Sequence, residues 1–320
     1  MKYWIKLTRP VNLLIIALTM YLTHWTIWKN LNSDQIYPLW KFHFVVLVMV
    51  CLAAAGNIIN DYFDLRVDRI NKPEKVLIGK HVKRRVAMLS HQFLNGFAVL
   101  TGFWLAYDVG NLWLGLTPIF IATTLWVYSV VLKKKVLIGN LAVALLIALV
   151  PLYSGAFDFL TFSESSFTDT LFDDVFTQVF GSIVTLFIIL SFAVFGFLLT
   201  LIREAQKDLE DLNGDTKVGY QTMPIRFGIA KTKNYLTFLF FITILALISS
   251  LYIFTSTFEK HVFFNGFVTI STLSPLLKSW WLTIKAKEKN DFQKAGNYTK
   301  IAMVLGMFFL VYLWYSASII

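Results

Sequence analysis

Apolar residues run along this chain in blocks long enough to cross a ~30 Å hydrocarbon core. The blocks fall at about 11–28, 42–59, 92–107, 111–132, 136–157, 178–202, 235–256, 262–284 and 299–319, and polar stretches separate them. Blocks of that length predict nine transmembrane helices and an all-α polytopic fold. The third block is short. Only the Asp108-Val109-Gly110 turn divides it from the fourth, so eight spans is the alternative count. The first block follows Lys2, Lys6 and Arg9 in the manner of a secretory signal, but it is long and lacks a small-x-small cleavage site. It reads as a retained helix.

Composition agrees with that pattern. Of the 320 residues 57% are hydrophobic, 17% aromatic and 15% charged, too apolar for a soluble pair of domains. The single cysteine, Cys51, lies inside the second block and has no disulfide partner within the chain. The nine-span reading with the N-terminus inside puts all but Lys29, Lys41 and Lys260 of the 29 Lys and Arg residues on one side of the membrane. That asymmetry predicts N-terminus in and C-terminus out, and the expected location is the cell's inner membrane. Segment 158–174 fits the outer side, carrying Asp158, Glu164, Asp169, Asp173 and Asp174 without a basic residue. The net charge of +10 thus reflects topology and attraction to anionic lipid, with no call for nucleic acid.

Three loops on the basic side, 60–91, 133–135 and 203–234, are long or highly charged and should form one polar face. The last ends in Gly219-Tyr220-Gln221-Thr222-Met223-Pro224, which should stop a helix before the seventh block. Within these stretches the chain repeats a spacing. Asp61-x-x-Asp64-x-x-x-Asp68 follows the second block, and Asp208-x-x-Asp211-x-x-x-Asp215 follows the sixth. Four blocks lie between the copies, an even number, so both fall on the same side of the membrane.

At ~100° per residue, Asn60, Asp61, Asp64 and Asp68 share one face of a helix, as do Asp208, Asp211 and Asp215, whereas Glu210 points away from its stripe. Carboxylates crowded at a membrane boundary repel one another unless a cation sits among them. An oxygen-only donor set, with no nearby His or Cys, favours Mg²⁺ sharing phosphate oxygens with a substrate. A diphosphate bridged between the stripes is the natural complement, with magnesium neutralising the leaving diphosphate of an allylic substrate. The five His residues show no ligand spacing and read as interfacial. The aromatic residues read as packing or lipid-facing, and no nucleotide-binding or catalytic-triad signature is present.

Asn60-Asp61-Tyr62-Phe63-Asp64-Leu65-Arg66-Val67-Asp68 resembles the first motif of the UbiA-type intramembrane prenyltransferase superfamily, and Asp208 to Asp215 resembles its second. Arg9-Pro10-x-Asn12, Tyr128-Ser129 with Lys133, and Gly219-x-x-Thr222-x-Pro224 add to the likeness. The resemblance implies a single domain over 1–320, with nine helices around a central cavity and cytosolic cap segments at about 60–91 and 203–234. It implies a polyprenyl diphosphate held through Mg²⁺. By the same resemblance Asn60, Asp64, Asp211 and Asp215 are the metal ligands, and Asp64, Asp211, Lys133 and Arg203 the catalytic set. Asn60, Asp61, Asp68, Asp208 and Lys207 are the substrate-binding candidates, and Arg66 and Arg69 are weaker ones. Arg203-Glu204-x-x-Lys207-Asp208-Leu209-Glu210-Asp211-x-x-Gly214-Asp215 is similar to the ether-lipid branch, which prenylates geranylgeranylglycerol phosphate. An aromatic acceptor is the alternative.

Two other classes compete. A cation transporter would place acidic groups along a membrane path, but no acidic residue is expected inside the other spans. A CDP-alcohol phosphotransferase requires one continuous DxxDGxxAR stretch, and here Leu65 follows Asp64.

Overall fold

The computed structural model describes residues 2–31, 36–166, 172–257 and 262–316. The described residues are almost wholly helical and contain no strand. Twelve α-helices follow in order: α1 (Lys2–Thr8), α2 (Pro10–Leu31), α3 (Leu39–Phe63), α4 (Leu65–Asn71), α5 (Arg84–Asp108), α6 (Trp113–Val130), α7 (Ile138–Ser166), α8 (Phe172–Glu210), α9 (Leu212–Val218), α10 (Met223–Thr257), α11 (Val262–Lys285) and α12 (Lys289–Ser316). Six stretches among the described residues are long and apolar enough to cross a membrane: Pro10–Trp28, Leu39–Phe63, Trp113–Val130, Ile138–Thr161, Thr185–Glu210 and Met223–Ser250. The protein is an integral membrane protein. Helices α5, α11 and α12 have comparable length but fall outside that set. In α5 and α12 polar residues open the helix, among them Arg84, Arg85, Lys289 and Asp291.

The helices outrun the apolar blocks. The third block begins at 92, yet α5 begins at Arg84; the sixth ends at 202, yet α8 continues to Glu210. Arg203-Glu204-Ala205-Gln206-Lys207 are all strong helix formers, so the backbone ladder propagates past the end of the apolar surface. The stretches 60–91 and 203–234 are therefore largely helical rather than open loops. Gly110, at φ 74, turns the chain between α5 and α6, which are separate helices. The acidic segment 158–174 and the basic Lys260 fall partly or wholly on residues outside the described ones.

The chain forms two compact units, one of residues 1–130 and 149–190, the other of 131–148 and 191–320, with α7 and α8 contributing to both. In the first unit α3 is the hub, packing on α1, α2, α5 and α6. Most of its residues from Phe42 to Ile59 are buried, Cys51 included, while His43, Phe44 and Leu47 are exposed. Small residues let neighbours approach closely. A Cβ at Gly56 would lie 2.9 Å from Leu125 of α6, and one at Gly102 of α5 would lie 2.6 Å from Pro118. In the second unit α10, α11 and α12 pack in sequence, and Ile202, Ala205, Leu209, Leu236, Phe240, Leu276, Phe292 and Ala302 form the core.

One expectation is corrected in the first unit. Asp158 is not a solvated loop acid: it is fully buried in α7, within the apolar stretch Ile138–Thr161. His24 Nδ1 of α2 lies 2.8 and 3.0 Å from its two carboxylate oxygens, and Phe42 stacks on the imidazole at 4.0 Å. His24 is thus buried rather than interfacial, and an acidic residue does sit inside a span. The acid was missed because the fifth block was cut at 157, one residue short of it. Nearby, Lys41 Nζ and the Tyr37 hydroxyl both donate to Asp108.

Candidate active site

Each aspartate stripe is built on the same backbone device. In the first unit, α3 carries Asn60 and Asp61, and α4, only seven residues long, carries Asp68. Asp64 is the one-residue joint between them, at φ −81 and ψ −1. The helical ladder runs through it: the Asp64 amide donates to the Asn60 carbonyl (2.9 Å) and the Asp68 amide to the Asp64 carbonyl (2.8 Å). The side chains therefore keep helical spacing and share a face.

The second unit repeats this. Helix α8 carries Arg203, Lys207 and Asp208, and α9, also seven residues, carries Asp215. Asp211 is the joint, at φ −94 and ψ 6. Its amide donates to the Lys207 carbonyl (2.8 Å), and the Asp215 amide donates to the Asp211 carbonyl (3.1 Å). The α9 helix ends at Gly219, whose φ of 80 is the left-handed cap glycine adopts without penalty, and the Tyr220 amide closes back on the Asp215 carbonyl (2.9 Å).

The first aspartate of each stripe has a protein partner. Arg9 donates to Asp61 at 2.5 Å. Arg9 lies between α1 and α2 at φ 55, a left-handed conformation that costs a non-glycine residue roughly 1–2 kcal/mol. Two contacts hold it there: the ion pair itself, and Asn57 Nδ2 donating to the Thr8 carbonyl at 2.9 Å. The Arg-Pro-x-Asn sequence is thus tied to the first motif by Arg9. Tyr62, inside the motif, packs under the Arg84 guanidinium at 4.8 Å.

In the second unit the partner is neutral. Asn140 Nδ2, buried in the first turn of α7, donates to Asp208 Oδ2 at 2.9 Å. Lys207, Glu204 and Asp215 complete the electrostatic surroundings of Asp208. The turn before α7 carries Lys133, with Leu137 at φ 60. A Cβ at Gly139 would lie 2.8 Å from the Lys133 Cα, so glycine there permits the turn to fold onto α7. The Lys134 carbonyl accepts from the Gln221 amide at 2.9 Å, and Lys134 Nζ stands over the Tyr220 ring. The stretch from Lys134 to Asn140 is thus linked twice: Asn140 bonds Asp208 of the second motif, and Lys134 bonds Gln221 in the stretch that follows α9.

The structure places Asn60, Asp61, Asp64 and Asp68 in the first unit, and Lys133, Arg203, Lys207, Asp208, Asp211 and Asp215 in the second. Asp215 and Glu210 are both buried, Glu210 on the side away from the stripe. Arg66 and Arg69 are exposed. Sequence reasoning missed Asn140 and Arg9's role as a partner of Asp61. An amide in the first turn of an apolar helix, directly after a lysine cluster, was the available signal for the former.

The donor set fits a hard cation. Asn60 Oδ1 is buried with no hydrogen-bond partner among the described residues, an acceptor suited to a metal or a donor group. Every other candidate ligand is a carboxylate. Among the described residues no three acidic, His or Cys side chains converge on one point, so neither motif alone is a closed cage. Mg²⁺ is compatible with that, because it binds through one or two carboxylates together with waters and phosphate oxygens.

Comparison with known proteins gives the same direction. Digeranylgeranylglyceryl phosphate synthase of Methanosphaera stadtmanae is 27% identical over 95% of this chain and 96% of its own length. The protein of the same name from Thermococcus gammatolerans is 31% identical over 77% of this chain and 76% of its own. A solved structure described as digeranylgeranylglyceryl phosphate synthase in membranes matches with a TM-score of 0.63 at 23% identity, over 100% of this chain and 99% of that one. A UbiA homologue from Archaeoglobus fulgidus, bound to DMAPP and Mg²⁺, matches with a TM-score of 0.58 at 14% identity, over 97% and 99%. These likenesses show a shared fold. The model of the UbiA prenyltransferase family matches residues 13–309, and the chain belongs to that family.

Proposed function

We propose that this prenyltransferase transfers a polyprenyl group from an allylic polyprenyl diphosphate to geranylgeranylglycerol phosphate, with Mg²⁺ as cofactor. The observation that carries the reading is the paired stripe: two long helices, each ending in a one-residue aspartate joint and a seven-residue helix that keeps its carboxylates on one face. The relatives named digeranylgeranylglyceryl phosphate synthase support the acceptor, and the homologues bound to DMAPP or GPP with Mg²⁺ support donor and metal.

Asn60, Asp64, Asp211 and Asp215 would hold the metal. When bound, Mg²⁺ supplies electrostatic neutralisation of the departing diphosphate, which lowers the barrier to C–O cleavage of an allylic ester. Arg9 orients Asp61, and Asn140 orients Asp208. Asp68 completes the first stripe, while Lys133, Lys207 and Arg203 supply positive charge for the phosphate groups of the substrates. The chain acts as one prenyltransferase domain over 1–320 with nine spans, N-terminus inside and C-terminus outside. The basic asymmetry supports that orientation in the inner membrane, and cysteine labelling should reach residues 72–85 and 213–222 from the cytoplasm. Labelling of Asn71 and Asn213 from opposite faces would refute the catalytic reading.

The decisive assay supplies purified protein in bilayers with radiolabelled geranylgeranyl diphosphate, geranylgeranylglycerol phosphate and a panel of aromatic acceptors. The ether-lipid product should dominate and should disappear in excess chelator, without rescue by Ca²⁺. An aromatic product in its place would overturn the acceptor assignment.

A further inference from the structure

A second basic cluster lies off the aspartate stripe, inside the second unit. Arg203 Nε and Nη1 are buried and find no hydrogen-bond partner among the described residues. Two buried guanidinium donors without an acceptor are costly, and the group they match best is a carboxylate or phosphate. The guanidinium lies against α12 at Gly296, where a Cβ would be 3.4 Å from Arg203 Cζ and Nε. One turn further along α12 is Lys300, exposed and within electrostatic reach of Arg203 and Lys207. Glu204 and Glu210 share the same field, and Lys207 approaches Glu204 at 4.0 Å.

The register between α8 and α12 is fixed beside this cluster. Gln206 Nε2 donates to Ser279 and Thr283 at 3.0 and 2.9 Å, and Thr299 donates to Gln206 Oε1 at 2.9 Å. Ser279 in turn donates to the Ala295 carbonyl at 2.8 Å. These groups are buried and mutually satisfied, so the network is rigid. Gln206 is the chain neighbour of Lys207, and Thr299 of Lys300. At ~100° per residue Arg203 stands about 140° from Asp208 and about 80° from Asp211, whereas Lys207 stands only about 40° from Asp211. Arg203 therefore points about a quarter turn or more away from Asp208 and Asp211, while Lys300 reaches the cluster from α12.

We infer that Arg203 and Lys300 bind the phosphate monoester of the acceptor, apart from the metal-bound diphosphate of the donor. This rests on the acceptor class proposed above. A phosphate dianion takes charge-assisted hydrogen bonds from the guanidinium and a point charge from the lysine, with no metal required. Holding the phosphate at this cluster orients the glycerol hydroxyl of the acceptor for attack on the allylic carbon.

The test uses full-length protein in nanodiscs, with geranylgeranyl diphosphate and geranylgeranylglycerol phosphate varied separately. Lys300→Gln should raise the acceptor KM about tenfold, what one charge-assisted hydrogen bond is worth, and leave the donor KM unchanged. Lys300→Arg should restore it to within about threefold. Calorimetric titration of geranylgeranylglycerol phosphate in chelator should show binding to wild type and the same loss in Lys300→Gln. Arg203→Lys, which keeps the charge but loses the fork, provides a second variant should the first prove unstable. A rise in donor KM, or no change in either, overturns the proposal while leaving the proposed function intact. Failure of wild type both to bind and to prenylate this acceptor removes the two together.

Discussion

The two aspartate stripes share spacing, helix lengths and joint geometry, yet the protein compensates them differently. Asp61 pairs with a cation, Arg9, from the junction of α1 and α2. Asp208 accepts its hydrogen bond from a neutral amide, Asn140 of α7, with Lys207 in its wider field. The second stripe is also the more enclosed: Asp215 is buried, and Glu204 adds a further negative charge near Asp208. A like-charged cluster in such surroundings leans harder on an external cation than one that already holds an arginine. The repeat thus keeps how the carboxylates are presented, while the two copies differ in the group that bonds the first aspartate.

The most damaging way to test this is at the joints. Asp64→Ala and Asp211→Ala should each reduce prenyl transfer ~10²-fold or more, the scale expected for ligands to an essential metal, while the protein stays folded in detergent. Retention of more than about a tenth of the wild-type rate would remove the metal assignment for that residue. A smaller effect separates the copies. Arg9→Ala should cost about tenfold and raise the Mg²⁺ concentration for half-maximal rate, because it releases a charged partner of the stripe. Asn140→Ala should cost about fivefold, in line with the ~1 kcal/mol of one neutral hydrogen bond. Equal losses would show that the two copies are compensated alike. The smallest effect on rate belongs to Glu210→Ala. Glu210 lies off the stripe, so activity per folded molecule should stay within about twofold. Its burial beside the Arg203 and Lys300 charges should instead make thermal unfolding of the variant earlier by roughly 1–3 kcal/mol. A large loss of rate with unchanged stability would place Glu210 in the site.

Among the described residues each apolar block falls on a long helix, and six of those helices are apolar enough to cross a membrane, because a hydrocarbon core demands about twenty apolar residues. They misplaced the ends, because hydrophobicity reports the slab and not the backbone ladder: Arg203 to Glu210 is polar and still helical. The repeated aspartate spacing exposed both stripes, since helical periodicity converts sequence separation directly into a shared face. Partners from distant chain positions stayed hidden. Nothing in the spacing links Arg9 to Asp61, Asn140 to Asp208, or His24 to Asp158, 134 positions apart. The tertiary fold makes those pairs. Asp158 shows the hazard of reading an acid at the rim of an apolar block as solvated: one turn of helix decides whether it meets water or an imidazole.

The seven-residue helices α4 and α9 have a consequence for how the site assembles. Isolated helices of that length do not persist in water, because nucleation fixes several residues for one hydrogen bond and needs ~12–15 residues to be offset. Here no separate nucleus is required. The amides of Asp64 and Asp211 bond back into α3 and α8, so each short helix grows as an extension of a membrane-embedded one. Amide hydrogen exchange should therefore show the last turns of α3 and α8 protected together with α4 and α9, as two cooperative segments. The carboxylates of each stripe are thereby presented on continuous helical backbone and not on a loop.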